Sequence, residues 1–367
     1  MTHRIRRTPW LATLALLAGC GHPAETPSGV ATCPTVAASP SASATATAAV
    51  SATATVAVSA TATVAPAPPP IQLAFVGDVA LNYGIAKDIE AISAGKAPAG
   101  VDDGFPFGGV RDRLKKADLA VANLECVAST KGDVDTWHKP FRAPLAGIDI
   151  VLASGIDVVT VANNHSFDFG EAGFFDMLKN LDAKKLPVIG RGYRQKAPHV
   201  PETPLVVQVR ETQVGLLGLY LATDDEIARD VKAAKAKAGV VVVYFHWGKE
   251  KQSDATPEQR RQARAAIDAG ADLIVGSHVH VLQPTEMYKG RLIAYGLGNF
   301  VFMGMNTEER FRRGAILEVT LGASGDVVSY EMVPTRIDDR GAPRIVVPES
   351  SYLPGDKAGK GKDGDAK

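Results

Sequence analysis

The sequence places histidine, carboxylate and asparagine side chains at five points that each follow an apolar run. Gly276-Ser-His-Val-His-Val-Leu-Gln-Pro284 follows Ala271-Asp-Leu-Ile-Val275, which reads as a buried strand. Gly77-Asp78, Asn123-Leu-Glu125, Asn163-Asn-His165 and His246-Trp-Gly248 are set in the same way. Oxygen and imidazole donors suit borderline and hard divalent ions, so the set predicts a site for one or two ions of Mn, Zn or Fe. Glu125 can bridge two ions. Asp78 and His280 can hold one of them, and Asn164, His246 and His278 the other. Such a pair activates a water and clamps an oxyanion. His165 can then give a proton to the leaving group, and Asp168 can orient it.

Each residue also has an ordinary explanation. His278 and His280 are compatible with an exposed strand, and His246 with a core histidine bonded to backbone. Asp78, Asn164 and His165 suit caps, and Asp168 suits a turn. Arg142 in Phe141-Arg-Ala-Pro144 is a candidate for an anionic substrate and equally for a surface ion pair. Asn299 reads as holding the Gly-Asn-Phe turn. His3, His22, His138 and His199 have no comparable setting and read as incidental, while Phe174 and Phe175 read as core.

The positioning elements alternate between strand and helix. Strands are expected over 71–76, 119–122, 158–162, 186–189, 240–245 and 273–275, with a hairpin over 205–219 turning around Glu211-Thr212. Helices are expected over 149–154, 173–181, 224–238 and 257–269, the last with Thr256 as N-cap and Pro257 at its first position. The last third turns strand-rich, at 291–295, 315–321 and 327–333. This is an α/β pattern in which parallel strands deliver residues to one edge, where ligands gather.

Outside that region the chain changes character. Residues 1–19 combine Arg4, Arg6 and Arg7 with a short apolar core, ending in Leu17-Ala-Gly-Cys20, which reads as a lipoprotein signal with Cys20 as the lipidation site. The apolar run is about half of the roughly 20 residues a membrane span needs. A plain secretory signal remains open, and the match to twin-arginine export is poor. Residues 20–70 are an Ala/Thr/Ser/Pro tether with too few large apolar residues to offset chain entropy, and residues 349–367 are a polar tail. Residues 71–348 are left as one folded domain. Forty basic and 40 acidic residues cancel, without a basic block, which argues against a nucleic-acid partner. Of three cysteines, Cys33 and Cys126 form a possible disulfide, but no disulfide framework is present.

Taken in order, Gly77-Asp78, Asn123-Leu-Glu125, Ala162-Asn-Asn-His-Ser-Phe-Asp-Phe-Gly170, His246-Trp-Gly248, Gly276 to Pro284 and Tyr295-Gly-Leu-Gly-Asn-Phe300 resemble the CapA family of capsule or poly-γ-glutamate biosynthesis proteins, relatives of the calcineurin-like metallophosphoesterases. The resemblance covers residues 71–303. It implies a four-layer α/β/β/α sandwich of metallophosphoesterase type with the metal site at one edge of two packed sheets. It also implies an anionic envelope polymer such as poly-γ-glutamate, or a phosphoester, as substrate. The expected setting is a membrane-anchored lipoprotein of the bacterial cell envelope, with a capsule synthesis complex as a possible partner. Ala80 departs from the wider Asp-x-His pattern, and Glu125 stands where that pattern has a bridging Asp, which opens single-ion occupancy. Val279 and Ser277 depart from common proline and histidine positions. Three readings compete: a metal-dependent hydrolase or transferase, a non-catalytic polymer-binding or anchoring subunit, and a soluble nucleotide phosphatase.

Overall fold

The structure is a computed structural model. It describes residues 68–136, 138–192, 200–305 and 307–347, all within one compact unit, Val64–Lys367. The expected signal, Cys20, Cys33, nearly all of the tether and the tail lie outside the described residues.

In chain order the elements are β1 (Ile71–Val79), α1 (Tyr83–Ser93), α2 (Arg111–Leu114), β2 (Leu119–Leu124), α3 (Ala146–Ser154), β3 (Val158–Thr160), α4 (Gly170–Ala183), β4 (Val188–Ile189), β5 (Leu205–Val209), β6 (Thr212–Tyr220), α5 (Asp224–Lys235), β7 (Val240–His246), α6 (Pro257–Asp268), β8 (Leu273–Ser277), β9 (Thr285–Tyr288), β10 (Arg291–Ala294), β11 (Asn299–Val301), α7 (Glu309–Arg312), β12 (Arg313–Leu321), β13 (Val327–Ile337) and β14 (Pro343–Ile345). The expected strands and helices are present, with shifted ends. The hairpin turns at Arg210 and Glu211, since Val209 pairs with Thr212. Helices α1, α2 and α7 and strands β9, β11 and β14 have no counterpart in the expected pattern.

Two mixed sheets result. One runs β14-β13-β12-β1-β2-β3-β4 with β11 beside β1, and the other runs β5-β6-β7-β8-β10-β9. Alternate residues separate the layers. Ile71, Leu73 and Phe75 of β1 pack with Leu216, Val242 and Val275 of the second sheet. Ala74 and Val76 face Ile148, Phe174 and Leu181 of the helices instead. Val241, Val243 and Ile274 face Ile227, Val231 and Ala263 of α5 and α6. These strands are covered on both faces, so they read as unbroken apolar runs rather than alternating ones. The outcome is the four-layer α/β/β/α order. Tyr244 ties the two sheets together, its hydroxyl donating to Val76 O at 2.6 Å. Both α5 and α6 open with capping boxes, Thr223 with Glu226 and Thr256 with Gln259. Phe174 is buried, but Phe175 is 39% exposed, which corrects its assignment to the core.

Candidate metal centre

Five strands end at the same place. Asp78 arrives there through a slip in β1: Val76 pairs with Ala122, but Asp78 pairs with Asn123, leaving Gly77 unpaired. Without that extra residue, Asp78 would share the helix-facing side with Ala74 and Val76. With it, Asp78 and Asn123 both turn to the inter-sheet side. Gly77 is required sterically, because a Cβ there would lie 1.9 Å from Gly298 O. His246 ends β7 on the inward set of Val240, Val242 and Tyr244. Past β8 the chain leaves the strand, and His278 and His280 adopt positive φ values of 91° and 59°. Such backbone is costly for residues with a Cβ, and it clusters at functional sites.

Ligand-type atoms of Asp78, Glu125 and His280 come within 4.8 Å of one another, as do those of Glu125, His246 and His278. Glu125 belongs to both groups. His246 Nε2 lies 3.6 Å from Glu125 Oε1 and 2.7 Å from Asn164 Oδ1. His280 Nδ1 lies 3.3 Å from Asp78 Oδ2 and donates to Asn299 Oδ1 at 2.8 Å, so Nε2, 4.0 Å from Glu125 Oε1, is the ring nitrogen turned to the cluster. The backbone N–H of His278 makes long contacts to both Asp78 oxygens. Asp78, His246, His278 and His280 therefore meet around Glu125, and Asn164 joins them through His246.

Asparagines brace this set. Asn123 Nδ2 donates to Asp78 Oδ1 at 2.8 Å, and Asn163 Nδ2 donates to Asn123 Oδ1 and Leu124 O. Asn299 holds His280 and donates to Phe311 O, so it does more than keep its own turn. Ser277 Oγ meets His246 Nδ1 at 3.1 Å. These bracing residues lie inside the sequence motifs, but their roles were not assigned from sequence.

The donor set suits a cation. Glu125 is fully buried and neither carboxylate oxygen has a hydrogen-bond partner; His278 Nδ1 is also buried without one. A buried carboxylate without hydrogen bonds is strongly unfavourable unless a positive charge meets it. Burial, and then the charge of Asp78, push Glu125 well above the usual carboxylate range. Burial, followed by neighbouring imidazoles, holds His246 well below its ordinary value and His278 at about 4. His280 goes the other way: burial lowers it, but Glu125 and Asp78 outweigh burial and bring it to about 9.

Beside this cluster, His165 Nδ1 donates to Asp168 Oδ2 at 2.8 Å, and Phe141 N donates to the same oxygen. The Phe141 ring stacks on the imidazole at 3.7 Å. Burial keeps His165 below the usual imidazole value, against the opposing hydrogen bond to Asp168. His138, read as incidental from sequence, lies here too, with its ring 4.6 Å from that of His165. No strand end announces it; a loop brings it in. Arg142 lies on the same loop. Its guanidinium donates to Ser129 O, Lys131 O and Gly132 O and lies over the Phe169 ring, so these three bonds brace a loop.

The fold and site define an α/β/β/α protein with a buried histidine–carboxylate cluster at convergent strand ends. The chain belongs to the family described as bacterial capsule synthesis protein PGA_cap, whose model matches residues 72–303. It is 30% identical over 286 residues to the PGA biosynthesis protein CapA of Bacillus subtilis, covering 73% of this chain and 72% of that protein. The capsule biosynthesis protein CapA of Bacillus anthracis is 29% identical over 298 residues, covering 75% and 69%. Among solved structures, a phosphatase of Mycoplasma pneumoniae aligns at 16% identity with a TM-score of 0.48, covering 74% of this chain and 95% of that one.

Proposed function

We propose that this capsule-synthesis-family protein is a metal-dependent hydrolase or transferase acting on an anionic envelope polymer of the poly-γ-glutamate kind, or on a phosphoester. The observation that carries the reading is Glu125, buried with two unpartnered oxygens among Asp78, His246, His278 and His280. Asp78 and His280 would hold one ion, Asn164, His246 and His278 a second, with Glu125 shared. A bound divalent ion supplies Lewis acidity toward a carbonyl or phosphoryl oxygen and makes water a nucleophile near neutral pH. Asp168 fixes the tautomer and orientation of His165, because its Oδ2 occupies Nδ1. The Nε2 atom is then the end that exchanges a proton with the leaving group. The family description and the names of the relatives support the polymer as substrate class.

Elemental analysis of the purified chain tests the reading. One or two metal equivalents are expected in the cluster around Glu125, reduced in His278→Ala. His165→Ala is expected to keep the ion held around Glu125 and lose turnover in a screen over γ-glutamyl polymers and phosphoesters. Absence of metal after reconstitution would leave the second reading, a polymer-binding or anchoring subunit. Ala80 favours that alternative, since it is buried beside Asp78's strand and offers no donor. We also propose export and lipid anchoring through Cys20, on the sequence alone. Cys20→Ala should then release the protein from the membrane fraction, and unchanged fractionation would count against an anchor.

A further inference from the structure

We infer that His138, His165 and Asp168 form a second, outer metal site, separate from the cluster around Glu125 and suited to a borderline divalent ion of the zinc class. Ligand-type atoms of the three residues lie within 4.8 Å of one another. His165 Nδ1 is 2.8 Å from Asp168 Oδ2, and His138 Nδ1 is 3.7 Å from Asp168 Oδ1. Two imidazoles and one carboxylate with open coordination positions are a donor set that zinc accepts.

An independent observation points to a ligand there. Asp168 is fully buried, and while its Oδ2 takes hydrogen bonds from Phe141 N and His165, its Oδ1 accepts none. A buried carboxylate oxygen left bare on the side of a second imidazole is placed to meet a cation. The surroundings are built to hold the geometry. Asp135 N donates to Asp168 O, and Phe141 N to its side chain, so the loop carrying His138 is pinned to Asp168 on both sides. Arg142 ties the preceding turn through three carbonyls. The Phe141 ring, stacked on His165, fixes the plane of that imidazole. The His138 side chain is 23% exposed, which gives an ion a route from solvent. On binding, His165 would present the Nδ1 lone pair and keep its proton on Nε2.

The inference does not rest on the function proposed above. It is tested by zinc titration of the tag-free, chelator-stripped full chain against a chromophoric competitor, with cobalt absorption as a second readout. Wild type should bind one zinc equivalent more than His138→Ala, or bind that equivalent at least tenfold more tightly. His138→Asp, which restores a ligand, should recover it. His280→Ala, directed at the inner cluster, should retain it. Equal stoichiometry and affinity in wild type and His138→Ala would overturn the outer site while leaving the inner one standing. So would loss of the same equivalent in His280→Ala alone. A chain that binds no zinc at all would overturn both sites.

Discussion

Two left-handed residues, one bare carboxylate and one asparagine set the chemistry of the centre. Asn299 Oδ1 accepts a hydrogen bond from His280 Nδ1, which turns Nε2 to the cluster interior. Partners of this kind typically tune metal affinity by about 10–100-fold. Asn299→Ala is therefore expected to weaken metal binding by that factor, measured by competition with a chelator, while a far-surface substitution such as Val328→Thr leaves it unchanged. The candidate ligands were legible in the sequence because each follows a recognisable strand. His138 was not, because its position depends on a loop wrapped around Asp168, and nothing in Trp137-His-Lys-Pro140 signals that. The bonds from Arg142 to three backbone carbonyls were hidden for a similar reason: residue type does not reveal which loop a guanidinium braces.

At the scale of elements, the parallel strands were readable because burial on both faces leaves uninterrupted apolar runs, as in Val240 to Phe245. β9, β11 and β14 are three or four residues long, with mixed composition, and carry too little pattern to read. The slip at Gly77 was equally hidden, although it decides which way Asp78 points. Gly77→Ala should cost about 3 kcal/mol or more, since backbone oxygen rather than a flexible side chain occupies the space. Chemical denaturation would show it, and metal binding should fall with it. Thr256→Ala should remove about 1 kcal/mol by stripping the cap of α6. Tyr244→Phe should cost about the same, since it leaves the Val76 carbonyl without its partner between the sheets.

For the whole molecule, the inter-sheet core carries the fold. Leu216→Ala, at a buried position between the sheets, should lower stability by about 2–5 kcal/mol in urea unfolding. Electrostatics contribute at the rim, where Glu286 joins Arg260 and Arg264 of α6 to the Tyr295 hydroxyl. Burial alone would raise Glu286, but hydrogen bonds from Arg264 and Tyr295 and the nearby positive charge hold it below its ordinary value. A carboxylate depressed in the folded state stabilises above its unfolded pKa and loses that contribution as pH falls through the folded value. Glu286→Gln should therefore lower Tm at pH 7, with the difference from wild type closing below about pH 4 in a melting series.

The register of β1 also has a consequence for how the chain is made. Ile71 pairs with Leu321 and Val76 with Ile316, so the first strand to leave the ribosome sits between β2 and a partner near the other end of the domain. At ~5–20 residues per second, β1 waits on the order of 10–50 s with one hydrogen-bonding edge open. Chains truncated before Arg313 should remain protease-sensitive, and protection should appear as a step once Leu321 is included. The centre at the strand ends would thus be assembled last, after synthesis of nearly all the folded part.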